Sequence, residues 1–414
     1  MKPLEIGIAG AGPAGLAAAL FLARAGHRVE LIERFDTPAP VGSGLLMQPT
    51  GLTVLDALGL GPAIHALGNR IDRLHGADAL SGRTVLDVRY DALAGGRYGL
   101  AVHRAALFGT LHEAVLAEGI PLRTGITLAK AETRLSRTAL HDPDGEIVGD
   151  YDLVVDATGA RSPLAAASVV APHVRALAWG AFWATLDCDA VPHDPHALTQ
   201  RYDAARVMIG VLPVGRARIG EGSKAAFFWS LKVAEADAVK RAGLSRWKAE
   251  IRRYWPETEP FLDQIADWDQ LTLARYAHRT ALPPHADGIA FVGDSAHSTS
   301  PQLGQGANMA LLDAAALAHA LAQAATVEEG LAAYAAARRG HVRLFQLLSL
   351  LFTPFYQSDS RAIAWLRDRL VATVARVPPA PQLLAAIVSG TLVDPFAKAG
   401  LAECRWAEAG LSAA

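Results

Sequence analysis

Two stretches of the chain carry residues whose types and spacing suit the binding of a phosphate-bearing group and chemistry beside it. Near the start, GAGPAG supplies Gly10, Gly12 and Gly15 in the G-x-G-x-x-G spacing, with Pro13 and Ala14 between the last two. The apolar LEIGIAG before it reads as a strand, and LAAALFLARAG after it reads as a helix closed by Gly26. Gly10 permits a tight turn, Gly12 lets a pyrophosphate approach the backbone, and Gly15 lets helix pack on strand. The helix N-terminus adds free N–H groups and a positive dipole end. A second strand, HRVELIER, ends near Glu33 and Arg34. Glu33 lies about twenty residues beyond the glycines, where a carboxylate can accept a hydrogen bond from a ribose hydroxyl. Strand, glycines, helix, strand and acid in this order predict an adenine dinucleotide site.

The second stretch, FVGDSAHSTSPQLGQGANMALLDA, runs from Phe291 to Ala314. A strand ends on Gly293 and Asp294, and Pro301, Gly304, Gln305, Gly306, Ala307 and Asn308 precede a long apolar helix. With His297 and Asp313-Ala314, this pattern resembles the signature of the FAD-dependent monooxygenases of the p-hydroxybenzoate hydroxylase family, the class A flavoprotein hydroxylases. The resemblance implies that Asp294 holds the ribityl chain, that the backbone from Gly304 to Asn308 faces the flavin, and that Pro301 lies against the reacting ring. The chemistry agrees: a carboxylate binds sugar hydroxyls, a helix start stabilises an anionic ring, and glycines keep Cβ atoms off a flat group. His297 reads equally well as a packing or capping residue of the loop.

Further matches run in the family's order over roughly residues 1–320. VGSGLLMQPTGLTVLDALGL (41–60) resembles the segment beside the flavin ring, which implies contacts from Gly44 and Leu45. HRAAL resembles a helix start whose arginine, here Arg104, touches the FAD phosphates. IPLRTGITLAKAETR resembles the strands whose backbone touches adenine, which makes Leu128 a candidate by position.

One segment departs from the family. In YDLVVDATGARSPL, Asp156 stands where the family has a first glycine, Thr158 stands where it has an aspartate, and the terminal arginine is missing. Thr158 and Gly159 still count as cofactor contacts, with Arg161 a partial substitute for the missing base. The family aspartate is associated with use of both FAD and NAD(P)H. Its loss makes direct reduction by NADH or NADPH an open matter and leaves room for a separate flavin reductase.

The elements that must position these residues point to an α/β fold. The expectation is a Rossmann-like FAD-binding domain with a parallel sheet, interrupted by an antiparallel-sheet substrate domain and followed by C-terminal helices. The FAD-binding part is expected over 1–70, 101–170 and 286–350, the substrate part over 71–100 and 171–285, and the helical region over 351–414. RTVLDVRYDAL, ALAWGAFWATLDC, ARVMIGVLPVG, RARIGEG and AFFWSLKV read as strands, and roughly 235–255 as one helix ended by Pro256. Pro354 is expected to break the helical run before it, and SRAIAWLRDRLVATVARV to form another helix. An aromatic-rich sheet facing a flavin would roof a pocket, with Trp183, Tyr202 and Phe228 the leading candidates. Trp179, Phe182, Phe227, Trp229, Met208 and Arg201 are weaker ones, since alternation turns only half of each strand inward.

Net charge is -2 over 414 residues, which offers no general attraction to nucleic acid. Cys188 and Cys404 suggest no disulfide framework, and a cytoplasmic location is expected. The apolar VRLFQLLSLLFTPFYQ suits core or dimer packing better than membrane contact, so stable insertion is not expected. Neither a metal site nor a Ser-His-Asp set is legible. The resemblance implies hydroxylation or epoxidation of an aromatic or electron-rich small molecule by O2 through a flavin C4a-hydroperoxide, in secondary metabolism or aromatic catabolism, by a monomer or homodimer. A flavin-dependent halogenase is favoured by the A-T-G variant, but the chain lacks the W-x-W-x-I-P stretch of that group. A flavin-linked reductase and a flavin-binding carrier protein would also carry the same glycine turn and loop.

Overall fold

The computed structural model describes residues 2–37, 43–371, 375 and 377–406. Val41 and Gly42 of the flavin-ring segment, most of the 372–376 stretch and the last eight residues lie outside that range. A six-stranded sheet runs in the order His285–Ala286, Ile289–Phe291, Leu153–Asp156, Glu5–Ala9, Arg28–Ile32, Leu122–Arg123. Every neighbour pair in it is parallel except the first. Its central strands are apolar without alternation because helices cover both faces of a parallel sheet. Ile6, Ile8, Val155, Leu16, Leu20, Leu311 and Leu312 accordingly share one core, built from this sheet and the helices Pro13–Arg24 and Gly306–Gln323.

An eight-stranded sheet is ordered His297–Ser298, Thr272–Thr280, His173–Asp187, Lys224–Lys232, Val207–Gly215, Ala197–Asp203, Arg73–Asp78, Thr84–Arg89. It brings strands from 73–89 together with strands from 173–280. Its pairs are antiparallel except Ala197–Asp203 with Arg73–Asp78, so the sheet is mixed and not wholly antiparallel. Two further three-stranded sheets complete the β structure among the described residues.

Several elements differ from the sequence reading. RARIGEG forms no strand: residues 216–222 are turns and bends, with Gly220 at φ +87°. The helix expected near 235–255 is two helices, Ala236–Ala242 and Leu244–Tyr254, because Gly243 at φ +96° ends the first and turns the chain. Pro354 does not break its helix, which spans Val327–Tyr356 and passes through it. The proline falls in the last turn, where few further hydrogen bonds depend on it. The next helix, Arg361–Leu366, continues as a wider π turn over Arg367–Val371. A last helix, Ala380–Ser389, ends at Gly390.

Candidate active site

The parallel strands end together. Gly10 follows Glu5–Ala9, Glu33 follows Arg28–Ile32, Thr158 follows Leu153–Asp156, and Asp294 follows Ile289–Phe291. Ligands of open α/β sheets lie at these carboxyl ends. A cavity of about 1040 Å³ opens there and extends to the face of the eight-stranded sheet.

At the nucleotide end Gly10 sits at φ +99°, and a Cβ there would stand 2.7 Å from the Ala157 carbonyl oxygen. A Cβ on Gly15 would fall 1.9 Å from the Gly10 oxygen, so this glycine serves the packing of helix on strand and sits behind the wall. Gly12, which lines the cavity, has no protein atom within 4 Å of such a Cβ. Pro13 opens the helix, where its missing N–H costs nothing. Glu33 Oε2 accepts from the Ala11 N–H at 2.8 Å and Oε1 from the Phe35 N–H at 3.2 Å, so the carboxylate braces the glycine turn while lining the cavity. Ala14, Arg34 and Leu128 line it too.

Arg104 begins the helix Arg104–Ala117 and lines the cavity, as does Asp294. Neither side chain has a hydrogen bond or ion pair to the described residues. Both are exposed toward the open cavity but crowded by protein. Desolvation lowers the Arg104 pKa, opposed by Asp294 and Tyr276, and raises that of Asp294, opposed by His297, Arg104 and Arg279. A cation and an anion facing one cavity without partners are what a bound phosphate and a sugar hydroxyl would complete.

Thr158 lines the cavity but is also engaged behind it. Asp156 is fully buried and accepts from the Thr158 N–H at 2.9 Å, from the Thr158 hydroxyl at 2.7 Å and from the Ser162 hydroxyl. Burial raises the Asp156 pKa, and the Ser162 and Thr158 bonds pull it back. Gly159 takes φ +85° beside it, and Arg161 lines the cavity.

The loop from Pro301 to Ala307 forms the middle wall, opposite Gly44 and Leu45. Gly304 adopts φ +62°, and the helix begins at Gly306. Two expected contacts lie behind this wall. Asn308, fully buried, accepts from the Gln48 N–H at 2.8 Å and donates to the Leu46 and Gly304 oxygens at 3.1 and 2.8 Å. Gly293 donates its N–H to Asp313 at 2.9 Å. Asp313 also takes His297 Nε2 at 2.6 Å and Arg338 Nε at 2.6 Å, and these charges hold its pKa down at about 2 against burial. His297 is therefore a packed partner of Asp313, and the network fixes the turn that carries Asp294.

At the sheet end, register decides which aromatics face inward. Trp183 pairs with Phe228, with ring centroids 4.6 Å apart, and both line the cavity with Tyr202 and Met208. A Cβ on Gly210 would lie 2.1 Å from the Phe228 ring, and one on Gly76 would lie 2.3 Å from the Tyr202 ring. These glycines let both rings lie along the sheet. Phe182, Phe227 and Trp229 occupy the other face, packed on Trp247 from the helix Leu244–Tyr254. Arg201 stacks over Trp255 and Trp179 meets Lys232, so neither joins the cavity lining. The sequence reading missed Tyr276, whose hydroxyl accepts from Trp183 Nε1 at 2.9 Å, and the amides Gln48, Gln200 and Gln357. It also missed Phe352, Tyr356, Leu384, Ile387 and Val388, which bring the C-terminal helices into the wall. Lone amides in apolar runs carry no spacing signal.

Residues 4–346 match the family model described as FAD binding domain. The chain belongs to that family. The FAD-binding chain is 29% identical over 330 residues to a 3-amino-4-hydroxybenzoate 2-monooxygenase of Streptomyces cremeus, covering 76% of this chain and 78% of that one. It is 28% identical over 405 residues to a 6-methylpretetramide 4-monooxygenase of Streptomyces rimosus, covering 93% and 92%. Klebsiella pneumoniae HpxO, solved with FAD and uric acid, shares the fold at a TM-score of 0.77 and 20% identity, covering 94% of this chain and 98% of that one. The protein is an FAD-dependent oxidoreductase of the monooxygenase class, as the sequence resemblance implied, and its relatives give no support to a halogenase or a reductase. The residues fit FAD: a Cβ at Gly12 or Gly306 would meet no protein within 4 Å and would stand in the cavity, and Arg104 and Asp294 face it unpaired. Among the described residues no helix is long and apolar enough to cross a membrane, and no cluster of metal-ligating side chains occurs.

Proposed function

We propose that this protein hydroxylates an aromatic or electron-rich small molecule at the boundary between the Pro301–Leu303 turn and the Trp183–Phe228 face. The observation that carries this reading is one cavity reaching from the glycine turn to that aromatic face, with the flavin-type loop between them. The relatives' names point the same way: a hydroxylated aminobenzoate and a pretetramide are the compounds on which two of them act.

FAD, when bound, supplies the redox chemistry with O2. Gly12 and the following helix N-terminus would receive its phosphates, Arg104 would neutralise them, and Glu33 and Asp294 would accept from its sugar hydroxyls. Gly44, Leu45 and the 301–307 loop would hold the ring, with Pro301 set against it. Trp183, Phe228 and Tyr202 would orient the substrate ring by stacking and exclude water, which protects a reactive oxygen donor from wasteful decay. Burial pushes the Tyr276 hydroxyl up to about 12, so it keeps its proton and can donate from Oη to a substrate oxygen. The 1–70, 101–170 and 286–350 segments would form the FAD-binding domain and 71–100 with 171–285 the substrate domain. NADH or NADPH is the proposed electron donor, with a separate reductase the rival, in a cytoplasmic monomer or homodimer.

The test is oxygen uptake and NAD(P)H oxidation by the FAD-loaded enzyme over a panel of hydroxylated aromatics. Consumption coupled to a product heavier by one oxygen is expected. Oxidation of NAD(P)H with no oxygen uptake under any aromatic would replace this reading with a reductase.

A further inference from the structure

The sheet end of the cavity carries an amide that the protein itself leaves unpaired. Gln357 follows the last turn of the helix Val327–Tyr356 and is 4% exposed, yet neither its Oε1 nor its Nε2 has a hydrogen-bond partner. Its place is fixed by its own N–H, which donates to the Thr353 oxygen at 2.8 Å, and by the Ser358 N–H, which donates to the Ala205 oxygen at 3.0 Å. The adjacent Tyr356 ring lies 5.5 Å from Tyr202, and Tyr202 packs with Met208 and Phe228. Gln357 thus belongs to the aromatic end, away from the glycine turn. A buried amide with both groups unmade is destabilised by the lost hydration of each of them. That cost disappears when a ligand offers an acceptor and a donor together.

The charges around it are distributed unevenly. The cationic side chains lining the cavity are Arg34, Arg104, Arg161 and Arg275. Arg34 stands at the glycine turn, Arg104 between Asp294 and Tyr276, where the FAD phosphates would engage it, and Arg161 in the loop after Leu153–Asp156. Arg275 is exposed, on a strand position between Ala274 and Tyr276. Asp87, the one acid at the sheet end among the described residues, is held by Arg73 at 2.7 and 2.9 Å. Arg367 lies behind the Tyr202 and Tyr356 rings, but its N–H groups are committed to the Phe355 and Ala204 oxygens and to Asp368. A substrate carboxylate placed here would leave water without a partner cation, which disfavours it strongly.

We propose that the substrate is an uncharged aromatic compound presenting a carbonyl beside an N–H or O–H, and that Gln357 selects it by pairing with both groups. This rests on the hydroxylase function proposed above. Gln357 reads the compound as one primary amide reads another, the Trp183–Phe228 and Tyr202–Tyr356 rings hold its faces, and an anionic analogue is rejected for want of a counter-charge. Discrimination of this kind arises because a mismatched ligand leaves buried polar groups unpaired.

The test uses the FAD-loaded enzyme and two probes of equal shape, 2-quinolone-4-carboxamide and 2-quinolone-4-carboxylate, titrated by the change in flavin absorbance. The carboxamide should bind at least about tenfold more tightly. Gln357→Leu should weaken carboxamide binding about tenfold, and Gln357→Arg should narrow or reverse the preference. Flavin content and unfolding midpoint confirm that each variant folds, and the wild-type comparison stands without them. Equal or tighter binding of the carboxylate overturns the proposal, as does failure of the carboxamide to bind at about 1 mM or an unchanged affinity in Gln357→Leu. Oxygen incorporation is scored separately. Binding in the expected order with no aromatic compound ever hydroxylated would overturn the function and leave the selectivity standing, whereas preferential hydroxylation of carboxylates would overturn the selectivity alone.

Discussion

Replacing Thr158 by aspartate would give the chain the acid its family carries at this place, and the structure says that the protein would suffer for it. The Thr158 hydroxyl donates to Asp156 at 2.7 Å, and Asp156 is fully buried with a pKa already raised by desolvation. Thr158→Asp removes a hydrogen bond to a charged group, about 1.5–3 kcal/mol. It also sets a second carboxylate about 4 Å from the first, worth about 4 kcal/mol of repulsion at an effective dielectric constant near 20. Uptake of a proton by the pair caps that repulsion, so a net loss of about 3–6 kcal/mol is expected at high pH. The sign follows from the direction of the shift. A carboxyl pair whose folded pKa lies above its unfolded value destabilises above the folded pKa and does not below the unfolded one, so the penalty grows as pH rises. Unfolding of the FAD-loaded variant, followed at about pH 5.5 and about pH 8, should show the wider gap from wild type at the higher pH. Thr158→Ser keeps the hydroxyl and should stay near wild type, while Thr158→Val should lose the bond and show a smaller pH-dependent gap than Thr158→Asp, because only the bond that lowers the Asp156 pKa is gone. A Thr158→Asp protein as stable as wild type at the higher pH, or a gap that does not move with pH, would refute the reasoning. From the sequence alone the same substitution reads as a route to faster reduction by NAD(P)H. The hydrogen bonds make it first a stability defect.

Other outcomes follow from the same geometry. Arg104→Met should weaken FAD binding about 10- to 100-fold, the worth of one charge-assisted hydrogen bond, as read by reconstitution of the apoprotein; unchanged affinity would remove Arg104 from the phosphate site. Gly12→Ala should leave the unfolding of the apoprotein near wild type but lower its FAD affinity, because the new methyl group stands in the cavity. Gly10→Ala should destabilise the apoprotein itself by about 1–3 kcal/mol, given φ +99° and the Ala157 oxygen 2.7 Å from the new atom. Asp313 has a folded pKa of about 2, below its unfolded value, so it contributes stability above about pH 4 that disappears as pH falls through 2. Asp313→Asn should therefore lose about 2 kcal/mol or more near neutral pH, with the gap from wild type closing below pH 4 in acid titrations of unfolding.

The parts of the site that were legible in the sequence are those where backbone geometry dictates residue type. Gly10, Gly12, Glu33 and the Pro301–Ala307 loop stand out because a tight turn, a close phosphate and a flat ring each restrict what can stand there, and all of them line the cavity. Gly15, Gly293 and Asn308 belong to the same motifs but act one layer back, through packing and the Asp313 and Gln48 hydrogen bonds. A motif records what the loop requires and does not separate the atoms that touch a ligand from those that hold the loop. The inward aromatics were half legible: alternation said that Trp183 and Phe182 face opposite ways, but only the pairing register with Phe228 and Trp229 assigns the faces. The strand Thr272–Thr280 was hidden by its polar alternating sequence, TLARYAHRT, and with it Tyr276. The C-terminal wall was out of reach, since Leu384 and Gln357 come to the cavity by long-range packing that local periodicity does not encode.

The most direct test of the central claim is mass spectrometry of a turnover run under 18O2 with the FAD-loaded enzyme, NADH or NADPH, and the aromatic compound that best stimulates oxygen uptake. The account predicts a product carrying one atom of 18O in the ring substituent, with none from apoprotein stripped of FAD and no labelling when the isotope is supplied as water. A product whose new oxygen comes from water, or the same labelled product formed by flavin-free protein, would contradict it.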